Sequence, residues 1–225
     1  MNKKTAVLLV GLLIVVLVFF AFKYVTRPPE APSQPTVAEK VAQGSASALK
    51  FVIAPTNAMA EFTIDEVLRG EPFTVVGTTK EVAGEVSITT APAGVTIGPI
   101  RINARTLATD SSGRNGMISR SILKSDQAQF EYITFTPTTV TNLPTEIPTG
   151  TPFTFTVTGN LTIIGATLPV RFEATGTLTD TALTAEAKAT VHWADFGITI
   201  PQVPFVASVS DVVGLRISFT APISS

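Results

Sequence analysis

The sequence predicts an all-β domain, a barrel or sandwich of about eight antiparallel strands with one short helix, preceded by an N-terminal transmembrane helix. Three observations support this prediction. Apolar and polar residues alternate through much of residues 50–225, which is typical of strands with one face in a core. Only residues 114–123 place apolar side chains at helical spacing, and residues 5–22 form an uncharged apolar run.

The composition excludes several classes of function. Cysteine is absent and there is a single histidine, so disulfides, thiolate catalysis, zinc–thiolate sites and a multi-histidine metal site within one chain are ruled out. The net charge of -1 gives no basic surface for nucleic acid. Apolar residues make up 45% of the 225 residues, enough for a sizeable core.

The N-terminal run, TAVLLVGLLIVVLVFFAF, is long enough to span a bilayer, which needs roughly 17 or more apolar residues. The apolar part of a cleaved signal peptide is usually shorter, about 7–15 residues, so we expect residues 1–27 to be a retained anchor with flanking basic residues. Lys3, Lys4, Lys23 and Arg27 lie on both sides and do not fix the orientation. The short N-terminal tail and the cysteine-free remainder favour an extracytoplasmic domain; the alternative is secretion after cleavage.

Residues 28–49 are rich in Pro, Ala and Ser and lack apolar periodicity. This composition is typical of a semi-extended tether. The domain proper is therefore expected at residues 50–225.

Alternation is strongest in residues 153–163, 168–178, 183–193 and 213–219, and Gly165 supplies the turn between the first two runs. Strands with one polar face favour antiparallel pairing. Residues 110–113 form a polar turn expected to cap the short helix, although Asn115-Gly116 is also a hairpin signal.

Small side chains occupy several predicted inner positions, among them Ala185, Ala187, Ala189, Gly159 and Gly176. Protein interiors are closely packed and voids are costly. Either a large neighbouring side chain fills this space, or a ligand does. An eight-stranded barrel can just hold one small ligand, which apolar walls would require to be apolar as well.

Four stretches of the sequence resemble the YceI-like family of bacterial polyisoprenoid-binding proteins. They are LATDSSGRNGMISRSILKSDQAQFEYITF at 107–135, GNLTIIGATLPV at 159–170, WADFGI at 193–198 and the closing strand at 211–221. Three positions depart from the family pattern: Asn115 replaces an Asp, Met117 a frequent His, and Trp193 stands near a frequent Arg.

The resemblance implies a lipocalin-like antiparallel barrel whose apolar tunnel binds an isoprenoid or other apolar lipid without a cofactor or metal. The residues predicted to line the tunnel are Phe155, Val157, Ile163, Phe172, Ala174, Ala187, Ala189, Trp193, Ile217 and Phe219. Arg114 and Arg120 are possible contacts for an anionic head group, or else solvated helix residues.

No catalytic residue is predicted. His192 falls on an outer face, and Asp195-Phe196-Gly197 matches a kinase tripeptide in letters only, without the motifs that accompany it. The leading hypothesis is therefore a module that binds, stores or transports an apolar lipid at the cell envelope. The alternative is a tethered structural or adhesion domain with a solid β core, and an enzyme acting on envelope lipids ranks third.

Overall fold

In the computed structural model, which describes residues 30–39, 48–202 and 206–224, the strands form one continuous antiparallel sheet. The strands are β1 (Leu49–Ile53), β2 (Ala58–Leu68), β3 (Glu71–Thr79), β4 (Val82–Thr89), β5 (Gly94–Ile97), β6 (Ile100–Asn103), β7 (Tyr132–Thr141), β8 (Pro152–Ile163), β9 (Ala166–Leu178), β10 (Ala182–His192) and β11 (Val206–Ser224). Helix α1 (Ser112–Met117) continues into a π-helical turn (Ile118–Ile122), and 3₁₀ turns cover Ala104–Thr106, Ala128–Phe130 and Trp193–Phe196.

The sheet closes into an eight-stranded antiparallel barrel. The eleven described strands occupy eight positions in the wall because three positions are each shared by two successive strands: β1 and β2, β3 and β4, and β5 and β6. Strand β1 pairs with β4 and strand β2 with β3, while β4 pairs with both β5 and β6. The long strand β11 pairs with β10 along one edge and with β2 and then β1 along the other. Closure leaves no open edge between β1 and β11, as predicted for a barrel.

The β8–β9 hairpin shows how local sequence sets the register. Ile164 and Gly165 have φ values of 48° and 79°, the backbone of a tight type I′ turn that suits the strand twist. The turn pairs Ile163 with Ala166 and sets the register that places Phe155 opposite Ala174. The buried side chains Phe155, Val157 and Leu161 alternate with threonines or asparagine along β8.

The segment from β6 to β7 carries the predicted short helix. The Ser111 side chain accepts a hydrogen bond from the backbone N–H of Arg114 at 3.4 Å, so it is the N-cap. Helix α1 begins at Ser112, two residues before the predicted start. A β-bridge between Thr78 and Ala108 joins this segment to β3.

The anchor predicted at residues 5–22 lies outside the described residues. Within the ranges 30–39, 48–202 and 206–224, no helix combines the length and apolar character needed to cross a bilayer. Of the predicted tether, residues 30–39, 48 and 49 are described; Leu49 already belongs to β1, and the segment 30–39 contacts the barrel. The Tyr132 hydroxyl donates a hydrogen bond to the Gln34 carbonyl oxygen at 3.4 Å.

Glu131 fastens this segment to the start of β7. Its carboxylate, 1% exposed, accepts hydrogen bonds from Ser33 N at 2.8 Å, Ser33 Oγ at 2.5 Å and Asn103 Nδ2 at 2.8 Å, and lies 3.4 Å from an Arg105 nitrogen. Burial alone would raise the pKa of Glu131, but the hydrogen bonds from Ser33 and Asn103 and the charge of Arg105 outweigh it and hold the pKa below its usual value.

We expect Glu131→Gln to lower the free energy of unfolding at neutral pH by about 2 kcal/mol, the size of a buried charge-assisted hydrogen bond. Because the folded-state pKa is depressed, this stabilisation is present above pH 4.5, the unperturbed value, and is lost as the pH falls through the folded-state pKa. Denaturant unfolding at a series of pH values measures the effect. The exposed Glu71→Gln serves as the control, and equal stability of wild type and Glu131→Gln at pH 7 would contradict the assignment.

Candidate functional site

The barrel encloses a large apolar cavity of about 750 Å³, here called the upper chamber. Most of its wall is hydrocarbon side chain. The apolar lining consists of Ala60, Phe62, Ile64, Val75, Ile102, Leu107, Met117, Ile118, Ile122, Leu123, Ile133, Phe135, Leu161, Ile163, Phe172, Val191, Trp193, Phe196, Ile198, Ile200, Pro201, Val206, Val209, Val213, Leu215 and Ile217.

The upper chamber is wide because one part of its wall is helical. The segment containing α1 and the π-helical turn runs between β6 and β7, and its side chains Met117, Ile118 and Ile122 face the chamber. Inward residues of β2 and β11, such as Phe62 and Leu215, are only partly buried although their faces point inward. Their partial exposure is to the chamber, so the side chains of the described residues do not fill this half of the barrel.

A second cavity of about 70 Å³, the lower chamber, lies toward β1, β4 and β5. Its lining is again almost entirely apolar. It consists of Ile53, Val86, Ile88, Val95, Ile97, Ile100, Phe135, Phe153, Phe155, Val157, Phe172, Ala174, Gly176, Leu183, Ala185, Glu186, Ala187, Ile217 and Phe219.

Of the small residues that suggested a hollow interior, Gly176, Ala185 and Ala187 line the lower chamber, whereas Gly159 and Ala189 line neither chamber. A Cβ atom added at Gly176 would lie 2.9 Å from Cζ of Phe153, and one at Gly159 would lie 2.7 Å from Cζ of Phe135. The glycines therefore make room for phenylalanine rings. The larger cavity lies instead against the helical segment, which alternation alone does not reveal.

The structure brings nine of the ten predicted tunnel residues to the chamber walls. Ile163 and Trp193 line the upper chamber, and Phe172 and Ile217 line both. The lower chamber takes Phe155, Val157, Ala174, Ala187 and Phe219. Ala189 lines neither chamber; it packs against the buried core.

Sequence reasoning missed much of the upper chamber. Leu215 lies in the recognised alternating run 213–219, Met117 and Ile118 lie at the recognised helical spacing, and Phe62 and Ile64 lie on β2. The prediction of a hollow interior relied instead on small side chains, several of which lie on β9 and β10. The signal that could have found these residues was the inward position of large apolar side chains on β2, β11 and the helix.

One end of the upper chamber is polar. Arg114 lines it and pairs with Glu66 at 3.1 Å and with Asp110, while its guanidinium lies 5.6 Å from the centre of the Phe73 ring. The Glu66 side chain is 8% exposed. Arg120, the other predicted head-group contact, is not among the residues that line either chamber.

The remaining charged residues at the upper chamber also have partners. Arg216 donates hydrogen bonds to Glu61 at 2.8 Å and to Glu186 at 3.1 Å, and these bonds raise the pKa of the Arg216 guanidinium. Hydrogen bonds from Lys188 and Arg216 lower the pKa of Glu186. This network joins β2, β11 and β10. Its residues alternate along the strands with the residues of the apolar wall.

The described residues contain no group of three or more metal-ligating side chains. His192 is exposed, as its outward position predicted, and its Nδ1 lies 3.3 Å from a carboxylate oxygen of Asp211. Asp195 and Phe196 belong to a 3₁₀ turn that ends at Gly197, whose φ is 68°. Neither feature contributes a side chain that could act as a catalytic pair in the chambers.

The YceI-like domain family matches residues 51–221 of the chain. The chain belongs to the YceI-like family. The sequence resemblance is thereby confirmed, and no curated protein sequence matches the chain.

Solved structures share the fold of this YceI-like domain. A polyisoprenoid binding domain from Saccharophagus degradans, implicated in plant cell wall breakdown, is 14% identical with a TM-score of 0.58 over 79% of this chain and 99% of that one. BcnA of Burkholderia cenocepacia is 16% identical with a TM-score of 0.55, covering 72% of this chain and 96% of that one. A Campylobacter jejuni YceI protein is 15% identical with a TM-score of 0.51, covering 66% and 85%.

Two departures of this chain from the YceI-like pattern have structural roles. Asn115 is buried, and its Oδ1 accepts hydrogen bonds from the backbone N–H of Thr109 at 2.7 Å and from the Thr109 hydroxyl at 2.8 Å. Trp193 donates a hydrogen bond from Nε1 to the Ser210 carbonyl oxygen at 2.9 Å while its ring lines the upper chamber. Asn115 therefore holds the turn before α1, and Trp193 adds an apolar ring to the chamber wall.

Trp193 is the only tryptophan, so its fluorescence should report whether the upper chamber is occupied. We expect delipidated protein titrated with an apolar lipid to shift its emission to shorter wavelength, because hydrocarbon replaces polar or empty surroundings at the ring. Steady-state fluorescence against a lipid-free solvent blank measures this. An emission spectrum unchanged by a lipid that co-purifies with the protein would show that the lipid binds elsewhere.

Proposed function

We propose that this YceI-like domain binds, stores or transports an apolar isoprenoid-type lipid in its interior. The observation that carries the proposal is the upper chamber of about 750 Å³ with an almost wholly apolar wall. Most small-molecule sites are concave, apolar and within about 300–1,000 Å³. The alternative, a structural or adhesion domain with a solid β core, does not account for this cavity, because empty space of this size destabilises a fold.

Hydrophobic transfer would be the main driving force for binding in this chamber. Each buried methylene contributes about 0.8 kcal/mol, so a chain of ~15 carbon atoms would gain roughly 12 kcal/mol before the costs of association and ordering. A linear hydrocarbon needs no charged contact along its length, which matches a wall of Ile, Leu, Val and Phe. Isoprenoids are favoured among such lipids by membership of the YceI-like family and by the similarity to the S. degradans domain.

Binding is favoured over catalysis. The part of the chain described here offers no metal-ligating cluster, and the carboxylates nearest the chamber are engaged in ion pairs with arginine. A catalytic site needs a nucleophile or an acid–base pair held at the reacting atoms. A passive lipid carrier needs only the apolar walls.

We further propose that the domain works on the extracytoplasmic side of a membrane. Residues 5–22 would hold it there as a single-pass anchor, and residues 28–49 would join this anchor to the barrel. Secretion after cleavage remains the alternative. In either case a lipid carrier would work beside the membrane that supplies its ligand.

The charges at the polar end favour a lipid with an uncharged head. Arg114 is the single cation of the Glu66–Arg114–Asp110 group, so the group carries one net negative charge. An anionic head such as a pyrophosphate would be repelled by two carboxylates that already occupy the guanidinium. A hydroxyl or carbonyl oxygen could still accept a hydrogen bond from Arg114 or Ser111.

The central test compares two neighbouring positions on β11. Val213 lines the upper chamber, whereas Val212 is 39% exposed and faces outward. We expect Val213→Trp to reduce the lipid recovered with the protein by at least about tenfold, because the indole occupies space the hydrocarbon needs, and Val212→Trp to retain it. Native mass spectrometry and organic extraction of folded, purified protein measure the bound lipid. Equal lipid content in both variants, or none in wild type expressed in its own membrane background, would refute the proposal.

The head-group argument is tested with Glu66→Gln. Removing this carboxylate leaves Asp110 as the one acidic partner of Arg114 and removes the net negative charge of the group, so the affinity for a long-chain fatty acid should rise roughly tenfold relative to the alcohol of equal chain length. Titration of both lipids into delipidated wild type and variant gives the ratio. The exposed Glu71→Gln is the matched control, and an unchanged ratio in Glu66→Gln would indicate that the head lies away from Arg114.

A further inference from the structure

Among the residues that the structure describes, three line both chambers: Phe135, Phe172 and Ile217. We call this set the waist. Phe135 comes from β7, Phe172 from β9 and Ile217 from β11, so the waist draws on three separate strands of the barrel wall. The volume above it is about 750 Å³ and the volume below about 70 Å³. The waist therefore separates the space that could hold a lipid from a much smaller remainder.

The two phenylalanine rings meet across an intervening strand. Their centroids are 4.8 Å apart with an interplanar angle of 63°, an edge-to-face contact. Strand β8 lies between β7 and β9, and its Gly159 provides the room, because a Cβ there would lie 2.7 Å from Phe135 Cζ. Both phenylalanines are almost fully buried, at 4% and 3% exposure, so neither ring can move without displacing packed neighbours.

Ile217 completes the waist from β11. Its register partners on the two adjacent strands are Ala60 and Ala187, whose methyl groups extend too little to narrow the passage. Ile217 is only partly buried, unlike the two rings, so it is the member of the waist least fixed by packing.

We infer that the waist sets the upper limit on the length of the lipid tail. This inference rests on the proposed function: a tail fills the upper chamber and ends against Phe135, Phe172 and Ile217. A longer tail would have to part an edge-to-face ring pair and would gain only the lower chamber. Since the affinity of a hydrocarbon rises with each buried methylene, affinity should increase with chain length and then level off where the tail reaches the waist.

The test uses a series of linear prenols that share one terminal hydroxyl, from farnesol through geranylgeraniol to solanesol. Delipidated wild type should reach a plateau within the series. Ile217→Ala opens the waist with the least loss of packing, and the plateau should move to longer prenols, with affinity for those prenols about tenfold higher, the gain from two or more additional buried carbon atoms. Phe172→Leu provides a second opening variant should Ile217→Ala fail to fold.

Two controls separate opening of the waist from a general change in cavity volume. Ile97→Ala enlarges the lower chamber without touching the waist, and its plateau should match wild type. Ala185→Leu fills the lower chamber; alone it should leave the plateau unchanged, and combined with Ile217→Ala it should cancel the gain for long prenols. Displacement of a fluorescent apolar probe gives all the affinities.

The outcomes distinguish the proposed lipid-binding function from the proposed role of the waist. Failure of wild type to bind any prenol overturns both the lipid-binding function and the role of the waist. Binding with a plateau that neither Ile217→Ala nor Phe172→Leu moves overturns the role of the waist alone. Weaker binding of long prenols by Ala185→Leu also overturns it, because the tail would then already pass the waist in wild type.

Discussion

Closure of the barrel along β11 is the constraint on which the rest of the structure depends. This strand, Val206–Ser224, pairs with β10 on one side and with both β2 and β1 on the other. A closed sheet of eight strands has a fixed circumference, so its interior volume is set before any side chain is placed. Whether that volume is filled or empty then depends on which residues each strand turns inward.

The two halves of the barrel use this volume differently. Toward β1 and β4, phenylalanine rings lie over glycines and alanines, and close packing leaves only a small void. Toward β2, β3 and the helical segment, the wall includes a helix instead of a further strand pairing, and large apolar side chains line the space without meeting across it. A fold retains such a void only at a cost in stability, which a bound hydrocarbon would remove.

Charge lies at the periphery of this apolar interior and is locally balanced. Arg114, Arg216 and Arg105 each lie between or beside carboxylates, so the barrel presents few free charges to a ligand in the chambers. Glu131 uses the same chemistry to hold residues near Ser33 against the barrel. The tether predicted from composition is thus held against the domain at Ser33 and Gln34.

Alternation in residues 153–163, 168–178, 183–193 and 213–219 was enough to predict the antiparallel strands, because a period of two is a local property of the backbone. The Gly165 turn and the Ser111 cap were likewise predictable, since both depend on neighbours within a few residues. The family motifs added the expectation of a closed barrel that binds an apolar ligand. These features needed no knowledge of which strands meet.

The position of the cavity, by contrast, was decided only by the tertiary structure. Whether Gly159 leaves a hole or receives the Phe135 ring depends on a residue in another strand, and the pairing of Arg114 with Glu66 joins positions far apart in the chain. Local sequence patterns could indicate that Phe62, Leu215 and Met117 point inward. They could not indicate that these three side chains surround one common space. A cavity depends on how the inward faces of strands and helices that are distant in sequence pack together. Local sequence patterns determine each of these faces separately and do not determine how they pack.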